Sequence, residues 1–233
     1  MKKIFLFILL FVNYTNANFE VGTFYGKSFG NKIGEFVAQD GGISHNAGVK
    51  AKLANNPENE SIFIINGDFL ITSNFSIESE FFYSKYRVKT GQITLQESDG
   101  TTRNFIFPKF NTTLYALSPF FIVKHQFNNL TPFLGLGYGV GIGVIDNTKF
   151  SPNPFEYGVG GKKTDLFMRG VAIKVGVLYD VWSKFSIGLH YGYKNFKISD
   201  TNQQFRSFNT GFNGSLTTNY LAFGFKYKIN KGF

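Results

Sequence analysis

The stretch TPFLGLGYGVGIGVI, residues 131–145, alternates bulky apolar residues with glycine. Because successive side chains of a β-strand point to opposite faces, this segment has one apolar face and one nearly bare face. Other segments of the chain carry their charges on the face that corresponds to the glycines, so the apolar face is predicted to point outward. An apolar exterior around a small or polar interior is typical of a strand that crosses a membrane as part of a barrel.

The composition is compatible with such a barrel and argues against two other classes. Mean hydropathy is −0.07 over 233 residues, too low for a bundle of transmembrane helices. An alternating strand pattern hides its hydrophobicity from such an average. There is no cysteine, which excludes a disulfide framework and a thiolate metal site. We also find no metal-ligand spacing and expect neither a metal nor another cofactor.

The first residues have the features of a secretory signal peptide. Lys2 and Lys3 precede an apolar run over residues 4–12. This run is much shorter than the ~20 residues that a transmembrane helix requires. Small residues at Thr15 and Ala17 predict cleavage after Ala17. We therefore expect residues 1–17 to be a signal peptide, residues 18–233 to be the mature barrel, and the protein to be exported to a bacterial outer membrane.

Seven further segments repeat the alternation, and the connections between segments are alternately long and short. Short turns at one end and long loops at the other are typical of an outer-membrane barrel. A soluble barrel would need an apolar interior, which the glycines and charges argue against. The predicted fold is all-β, an eight-stranded antiparallel up-and-down transmembrane β-barrel. Its strands are predicted at residues 19–26, 61–71, 75–89, 112–127, 131–145, 165–181, 185–198 and 218–229, and its four long external loops at 31–60, 90–111, 146–164 and 199–217.

Charged residues on the inward-facing positions form the first candidate site. An isolated buried charge is very costly, so these groups must be paired or hydrated. We predict that Glu78 or Glu80 pairs with an interior lysine. A salt-bridged plug and a narrow ion path are both conceivable, but an eight-stranded barrel is only just wide enough for its own side chains, which favours the plug. The inward-facing charges are Asp68, Glu78, Glu80, Lys174, His190, Lys194, Lys226 and Lys228.

Cations on the outward-facing positions form the second candidate site, and each lies near the long-loop end of its strand. Two interpretations remain open. These side chains contact the phosphate groups of lipopolysaccharide in the outer leaflet, where arginine can bind in bidentate fashion, or they form an ordinary solvated rim above the bilayer. The cations are Lys27, Lys85, Arg87, Lys89, Arg169 and Lys197, of which Lys85, Arg87, Arg169 and Lys197 are the candidate lipopolysaccharide contacts.

Two motifs and the C-terminal strand resemble a known family. Residues 132–139, PFLGLGYG, and residues 185–193, FSIGLHYGY, resemble the OmpA-like and opacity-type eight-stranded outer-membrane proteins, often labelled the porin family. The chain is also similar to rickettsial-type surface antigens on the same barrel. The resemblance implies surface roles such as adhesion, antigenicity or envelope integrity. The end of the chain resembles the signal read by the barrel-assembly machinery, carried here by Phe223, Phe225, Tyr227 and Phe233.

Three functions follow as hypotheses. The first is a structural, adhesin-type or antigenic surface protein whose external loops bind host or envelope ligands. The second is a narrow channel for small solutes or ions. The third is an enzyme that modifies outer-membrane lipid, but His45, His125 and His190 lie in no recognisable triad pattern, so we expect no catalytic residues and no enzyme. The loops offer no basic groove, and we expect no nucleic-acid partner.

Overall fold

The computed structural model describes residues 19–34, 36–39, 48–53, 57–58, 60–88, 91–96, 101–107, 110–146, 163–200 and 212–229. The predicted signal peptide, His45, Lys89 and Phe233 lie outside these residues. No helix in the described segments is long and apolar enough to cross a membrane.

The described residues form twelve β-strands. Alternation of β-branched and aromatic residues with small or polar ones favours strands throughout these segments. In chain order the strands are β1 (Phe19–Ile33), β2 (Phe36–Gln39), β3 (Gly48–Leu53), β4 (Ser61–Leu70), β5 (Phe75–Val88), β6 (Gly91–Gln96), β7 (Thr102–Phe107), β8 (Phe110–Lys124), β9 (Leu130–Asp146), β10 (Lys163–Trp182), β11 (Phe185–Asp200) and β12 (Phe212–Ile229).

Eight of the strands close into a barrel, which confirms the predicted fold. Their order around the barrel is β1-β4-β5-β8-β9-β10-β11-β12, and β12 pairs back onto β1. Every neighbouring pair is antiparallel. Short turns join β4 to β5, β8 to β9 and β10 to β11, all at the same end of the barrel.

The other four strands lie within the stretches predicted as long polar external loops at residues 31–60 and 90–111. β2 and β3 form one hairpin, β6 and β7 form another, and the sheet continues from β12 in the order β12-β2-β3-β6-β7. The hairpins extend the β1–β4 and β5–β8 pairs beyond the barrel. We call these four strands the external sheet. The segments GVKAKL and GQITLQ are short alternating strands within polar stretches of sequence. The overall polarity of those stretches predicted loops there.

The two faces of the barrel wall differ as predicted, with bulky apolar side chains outward and the glycines inward. Leu136 on β9 and Phe223 on β12 are each 60% exposed outside the wall. The interior, however, is not only small and polar. Aromatic rings lie directly over the glycines, with Phe120 against Gly137 and Phe24 against Gly188. The glycine columns thus make room for large side chains from neighbouring strands, which form an apolar core inside the lumen.

A β-bulge in β1 sets the orientation of two polar residues. The register with β12 shifts between Phe29 and Lys32, and Gly30 has a φ of +59°, a left-handed conformation that favours glycine. The extra residue turns Asn31 into the lumen, where it is buried. Lys32 remains exposed on the opposite face, paired in register with Thr217. Pairing with β12 resumes after the bulge, so β1 extends to Ile33, beyond the predicted end near residue 26.

Candidate functional site

The predicted interior carboxylates lie at the centre of the lumen and contact lysines from three different strands. Lys174 on β10 contacts Glu78, and its ammonium group lies 3.0 Å from Glu80. Lys194 on β11 lies 2.8 Å from the other oxygen of Glu80. Lys226 on β12 lies 2.9 Å from Glu78. Glu78 and Glu80 project inward from β5, two positions apart, so each can face a different wall of the barrel.

The ion pairs continue toward the short-turn end of the barrel. Lys226 also contacts Asp68 at 3.2 Å, and Lys124 bridges Asp68 at 3.3 Å and Glu20 at 3.6 Å. Together with the central pairs these contacts make a chain in which positive and negative groups alternate. We call it the lumen ion chain, and its order is Glu20–Lys124–Asp68–Lys226–Glu78–Lys174–Glu80–Lys194.

Positive and negative groups alternate along this buried network, so its charges compensate one another. The chain holds four carboxylates and four ammonium groups, and every interior member lies between two groups of opposite sign. An uncompensated charge would be very costly to bury, whereas attraction between the paired charges offsets part of their desolvation cost. All eight side chains are at most 7% exposed. The lumen is therefore filled with charged groups that are held by one another.

Three charged residues of the lumen were absent from the predicted set, although the same alternation points to them. Glu20 follows outward-facing Phe19, Lys124 follows Val123, and Asp180 follows Tyr179. Asp180 lies near the short-turn end, 2.9 Å from Lys228, and accepts a hydrogen bond from Ser186 at 2.5 Å. Lys228 is thus the predicted interior lysine that lies outside the lumen ion chain.

Aromatic rings cover the lysines at the external side of the chain. The ammonium group of Lys174 lies 4.2 Å from the ring centre of Phe120. The ammonium group of Lys194 lies 5.0 Å from the ring centre of Phe82 and donates a hydrogen bond to Ser118. Cation–π contacts of this kind stabilise a desolvated cation. The apolar core and the ion chain therefore contact each other at these two lysines.

A layer of hydrogen bonds closes the lumen at its external end. Asn31 donates to Ser28 at 3.1 Å and to the carbonyl of Glu58 at 3.0 Å. Thr218 donates to Asn31 at 2.6 Å, and Tyr86 donates to Thr218 at 3.3 Å. Asn31 falls in the predicted loop because the bulge at Gly30 interrupts the alternation of side chains. The layer links β1, β5 and β12, and β5 is three strands away from β12 around the barrel.

The two described histidines lie in unlike surroundings. His190 is 2% exposed and its ring lies 4.8 Å from that of Phe24 and 5.7 Å from that of Tyr220. Neither ring nitrogen of His190 has a hydrogen-bond partner in the described part of the chain. His125 follows β8 at the short-turn end, is exposed, and packs against Phe127. Within the described residues, neither histidine contacts a serine or a carboxylate as a catalytic triad requires.

Four of the outward-facing cations form two groups on different sides of the barrel, and Lys27 belongs to neither group. Lys85 and Arg87 lie on β5, and Arg87 is 3.7 Å from Glu58. Arg169 on β10 and Lys197 on β11 are direct cross-strand partners. Lys27 lies on β1, between Ser61 of β4 and Leu221 of β12. The barrel order puts β5 three strands from β10, so no single lipid headgroup can contact both groups.

The predicted assembly residues line the outer face of the last strand. Phe223, Phe225 and Tyr227 are all exposed on the lipid-facing side of β12. Tyr227 pairs with Val21 of β1, so these residues lie on the seam where the first and last strands meet. Recognition of this seam by the assembly machinery stays a prediction.

The fold is that of known outer-membrane barrels. No protein-family model matches the sequence, and no curated protein is found to match it. Among solved structures, the outer-membrane protein OprG from Pseudomonas aeruginosa superposes with a TM-score of 0.55 at 12% identity, over 92% of this chain and 96% of that chain. Neisserial surface protein A superposes with a TM-score of 0.51 at 13% identity, over 92% of this chain and 98% of that one. The chain is a closed eight-stranded antiparallel β-barrel that resembles these two outer-membrane proteins in fold, and this fold supports a place in the bacterial outer membrane.

Proposed function

We propose that this chain is an outer-membrane surface protein of the adhesin or antigen type, in which a filled barrel anchors an external sheet that binds a partner. The filled lumen is the observation that carries this proposal. The lumen ion chain, the apolar core and the hydrogen-bond layer at Asn31 occupy the interior from one end to the other. With the lumen filled, the surface beyond the bilayer is the part that remains to interact.

The external sheet supports the same role. Binding residues usually lie on loops that a rigid scaffold holds in place. Here the strand pairs β2–β3, β3–β6 and β6–β7 hold long insertions in register with each other, and the contact of Phe212 and Asn213 with β2 ties them to the barrel wall. A backbone fixed in this way can present side chains to a macromolecular partner at low entropic cost.

Surface display tests the proposal directly. The full-length protein is produced in the outer membrane of a non-adherent bacterial host, beside a variant in which short Gly/Asn turns replace residues 36–53 and 91–107. Attachment is measured on cultured epithelial cells and on surfaces coated with extracellular-matrix protein. We expect attachment with the full-length chain and a loss to the level of the empty host with the shortened variant.

Two results would contradict the proposal. The shortened variant could attach as well as the full-length chain, in which case the external sheet is not the binding surface. Alternatively, the full-length chain could attach no better than the empty host on every surface tested, even though surface proteolysis shows that it is exposed.

The channel and enzyme hypotheses have less structural support. A solute path would have to pass through paired charges that are almost completely buried. A lipid-modifying enzyme would require an activated nucleophile at the membrane surface, and the described histidines do not contact one. No feature of the described chain favours either hypothesis over the surface role.

A further inference from the structure

The outer wall of the barrel carries two cations that face each other directly. Arg169 on β10 pairs in register with Lys197 on β11, so their β-carbons are about 5 Å apart. Like charges in directly opposed positions destabilise a sheet. Neither side chain has a hydrogen bond or an ion pair with any carboxylate among the described residues. The cation Arg87 on the other side of the barrel differs, because it lies 3.7 Å from Glu58.

Polar residues and a third cation continue this surface over the adjacent strands. Lys197 pairs with Ser215 of β12, and Asn195 of β11 pairs with Thr217 of β12. Thr217 in turn pairs with Lys32, which the bulge in β1 leaves on the outer face. Neighbouring strands are about 4.8 Å apart, so Lys32 on β1 is about 10 Å from Asn195 on β11, two strands away. We call Lys32, Arg169 and Lys197 the outer cationic patch.

The height of the patch places it at the lipid headgroups. Below Asn195, the outward residues of β11 are aromatic or aliphatic, from Tyr193 down to Phe185. Lys197 is twelve residues beyond Phe185, which is about 40 Å along a strand or about 30 Å along the membrane normal at a tilt of ~40°. The apolar band of an outer-membrane barrel is about 25 Å tall. Lys197 therefore lies just above the hydrocarbon, on the side of the external sheet.

From this geometry we infer that the outer cationic patch binds a phosphate group of lipid A in the outer leaflet. An arginine can hold a phosphate through two parallel hydrogen bonds, and the adjacent lysine supplies a second positive charge. A bound phosphate would remove the repulsion between Arg169 and Lys197. Asn195 and Thr217 offer neutral donors next to the charged pair. The site depends on the barrel crossing the outer membrane, and it does not depend on what the external sheet binds.

Lipid binding by the folded, full-length mature chain tests the inference. The protein in detergent micelles is titrated with diphosphoryl lipid A, and the bound fraction is measured by native mass spectrometry. The test variant is R169Q/K197Q, and K184Q is the control because exposed Lys184 lies in the turn between β10 and β11, at the opposite end of the barrel from the patch. We expect the test variant to raise the apparent Kd about tenfold or more, and the control to change it less than about threefold.

Two further probes distinguish the source of the phosphate. Dephosphorylated lipid A should bind wild type and R169Q/K197Q equally weakly, and inorganic phosphate should not displace diphosphoryl lipid A from wild type. Full displacement by inorganic phosphate would make this a free-phosphate site and overturn the lipid assignment. Equal lipid A affinity for wild type and R169Q/K197Q, or an equal loss in the control variant, would overturn the site itself.

Single substitutions keep the test decisive if the double variant does not fold, as judged by heat-modifiable migration in gels. R169K keeps the charge but removes the bidentate geometry, and K197Q removes one charge. We expect both variants to weaken lipid A binding. The loss of affinity caused by K197Q should be larger at low salt than at high salt. Unchanged binding in both variants would contradict the inference.

Discussion

At the scale of single residues, Glu80 is the group on which the end of the lumen ion chain depends. Its two oxygens contact different lysines, Lys174 and Lys194. Lys174 keeps a second partner in Glu78, but Glu80 is the only carboxylate within ion-pair distance of Lys194 in the described part of the chain. Loss of the Glu80 charge would therefore leave a fully buried ammonium group without a compensating negative charge within ion-pair distance among the described residues.

Glu80→Gln should accordingly lower the free energy of unfolding by about 3–5 kcal/mol, the usual cost of leaving one member of a buried pair alone. Urea titration of the protein folded in lipid vesicles measures this loss. The double variant Glu80→Gln/Lys194→Met removes both charges and should recover a substantial part of it. A loss below about 1 kcal/mol in the single variant would show that Lys194 does not need its partner.

Glycines of β9 provide a second test at the same scale. A methyl group on Gly137 would lie 2.5 Å from the carbonyl oxygen of Pro119 and 2.7 Å from a ring carbon of Phe120. A methyl group on Gly143 would meet the flexible end of Met168 at 3.1 Å and would lie in ordinary van der Waals contact with Leu166 Cβ at 3.8 Å. The two positions share one strand and one face, so they form a matched pair.

Gly137→Ala should lower the free energy of unfolding by about 1–3 kcal/mol because neither the backbone nor the ring can move away easily. Gly143→Ala should change it by less than about 0.5 kcal/mol, because the Met168 side chain can change rotamer. Urea titration under the same conditions compares the two. Equal effects would mean that the glycines of β9 serve the backbone conformation and do not make room for the rings.

At the scale of strands, alternation of side chains predicted the barrel well and its external part poorly. The eight strands that close the barrel were predicted because lipid on one side and packed residues on the other impose a strict period of two. Above the membrane that constraint ends, and β2, β3, β6 and β7 are short segments in polar surroundings. Their pairing depends on contacts between distant hairpins, such as Leu53 with Ile93, which local sequence cannot reveal.

The lumen, too, was predicted only in part from the sequence. Alternation identified Glu78, Glu80 and the lysines as inward-facing, but it could not show which lysine meets which carboxylate. That depends on the register of strands far apart in sequence, as for Lys226 and Glu78. The apolar core was missed for a related reason: the inward glycines indicated empty space, whereas Phe120 and Phe196 from other strands fill it.

The external sheet should be dispensable for folding, because the barrel strands keep their own ladders without it. β5 and β8 pair from Phe75 to Val88, and β1 and β4 pair from Phe19 to Lys27. The variant with short turns in place of residues 36–53 and 91–107 should therefore refold into vesicles and show a heat-modifiable band like that of the full chain. Failure of this variant to fold, while the full chain folds, would show that the external sheet is part of the folding unit.

At the scale of the whole molecule, the protein has three parts with different roles. A lipid-facing wall of aromatic and aliphatic residues holds it in the membrane, paired charges and an apolar core fill its interior, and the external sheet extends the wall outward. The lumen ion chain alternates in sign, so its charges compensate one another and leave no net charge to attract ions. A filled and neutral interior is the central claim about this protein.

Single-channel recording tests that claim most directly. The mature protein is inserted into planar bilayers, and its folded state is checked on the same sample by heat-modifiable migration. We predict no resolved current steps for the wild type at neutral pH. Reproducible steps from the folded wild type, with an ion selectivity that changes on Lys174→Gln substitution, would show that the interior charges line a path and would contradict a filled lumen.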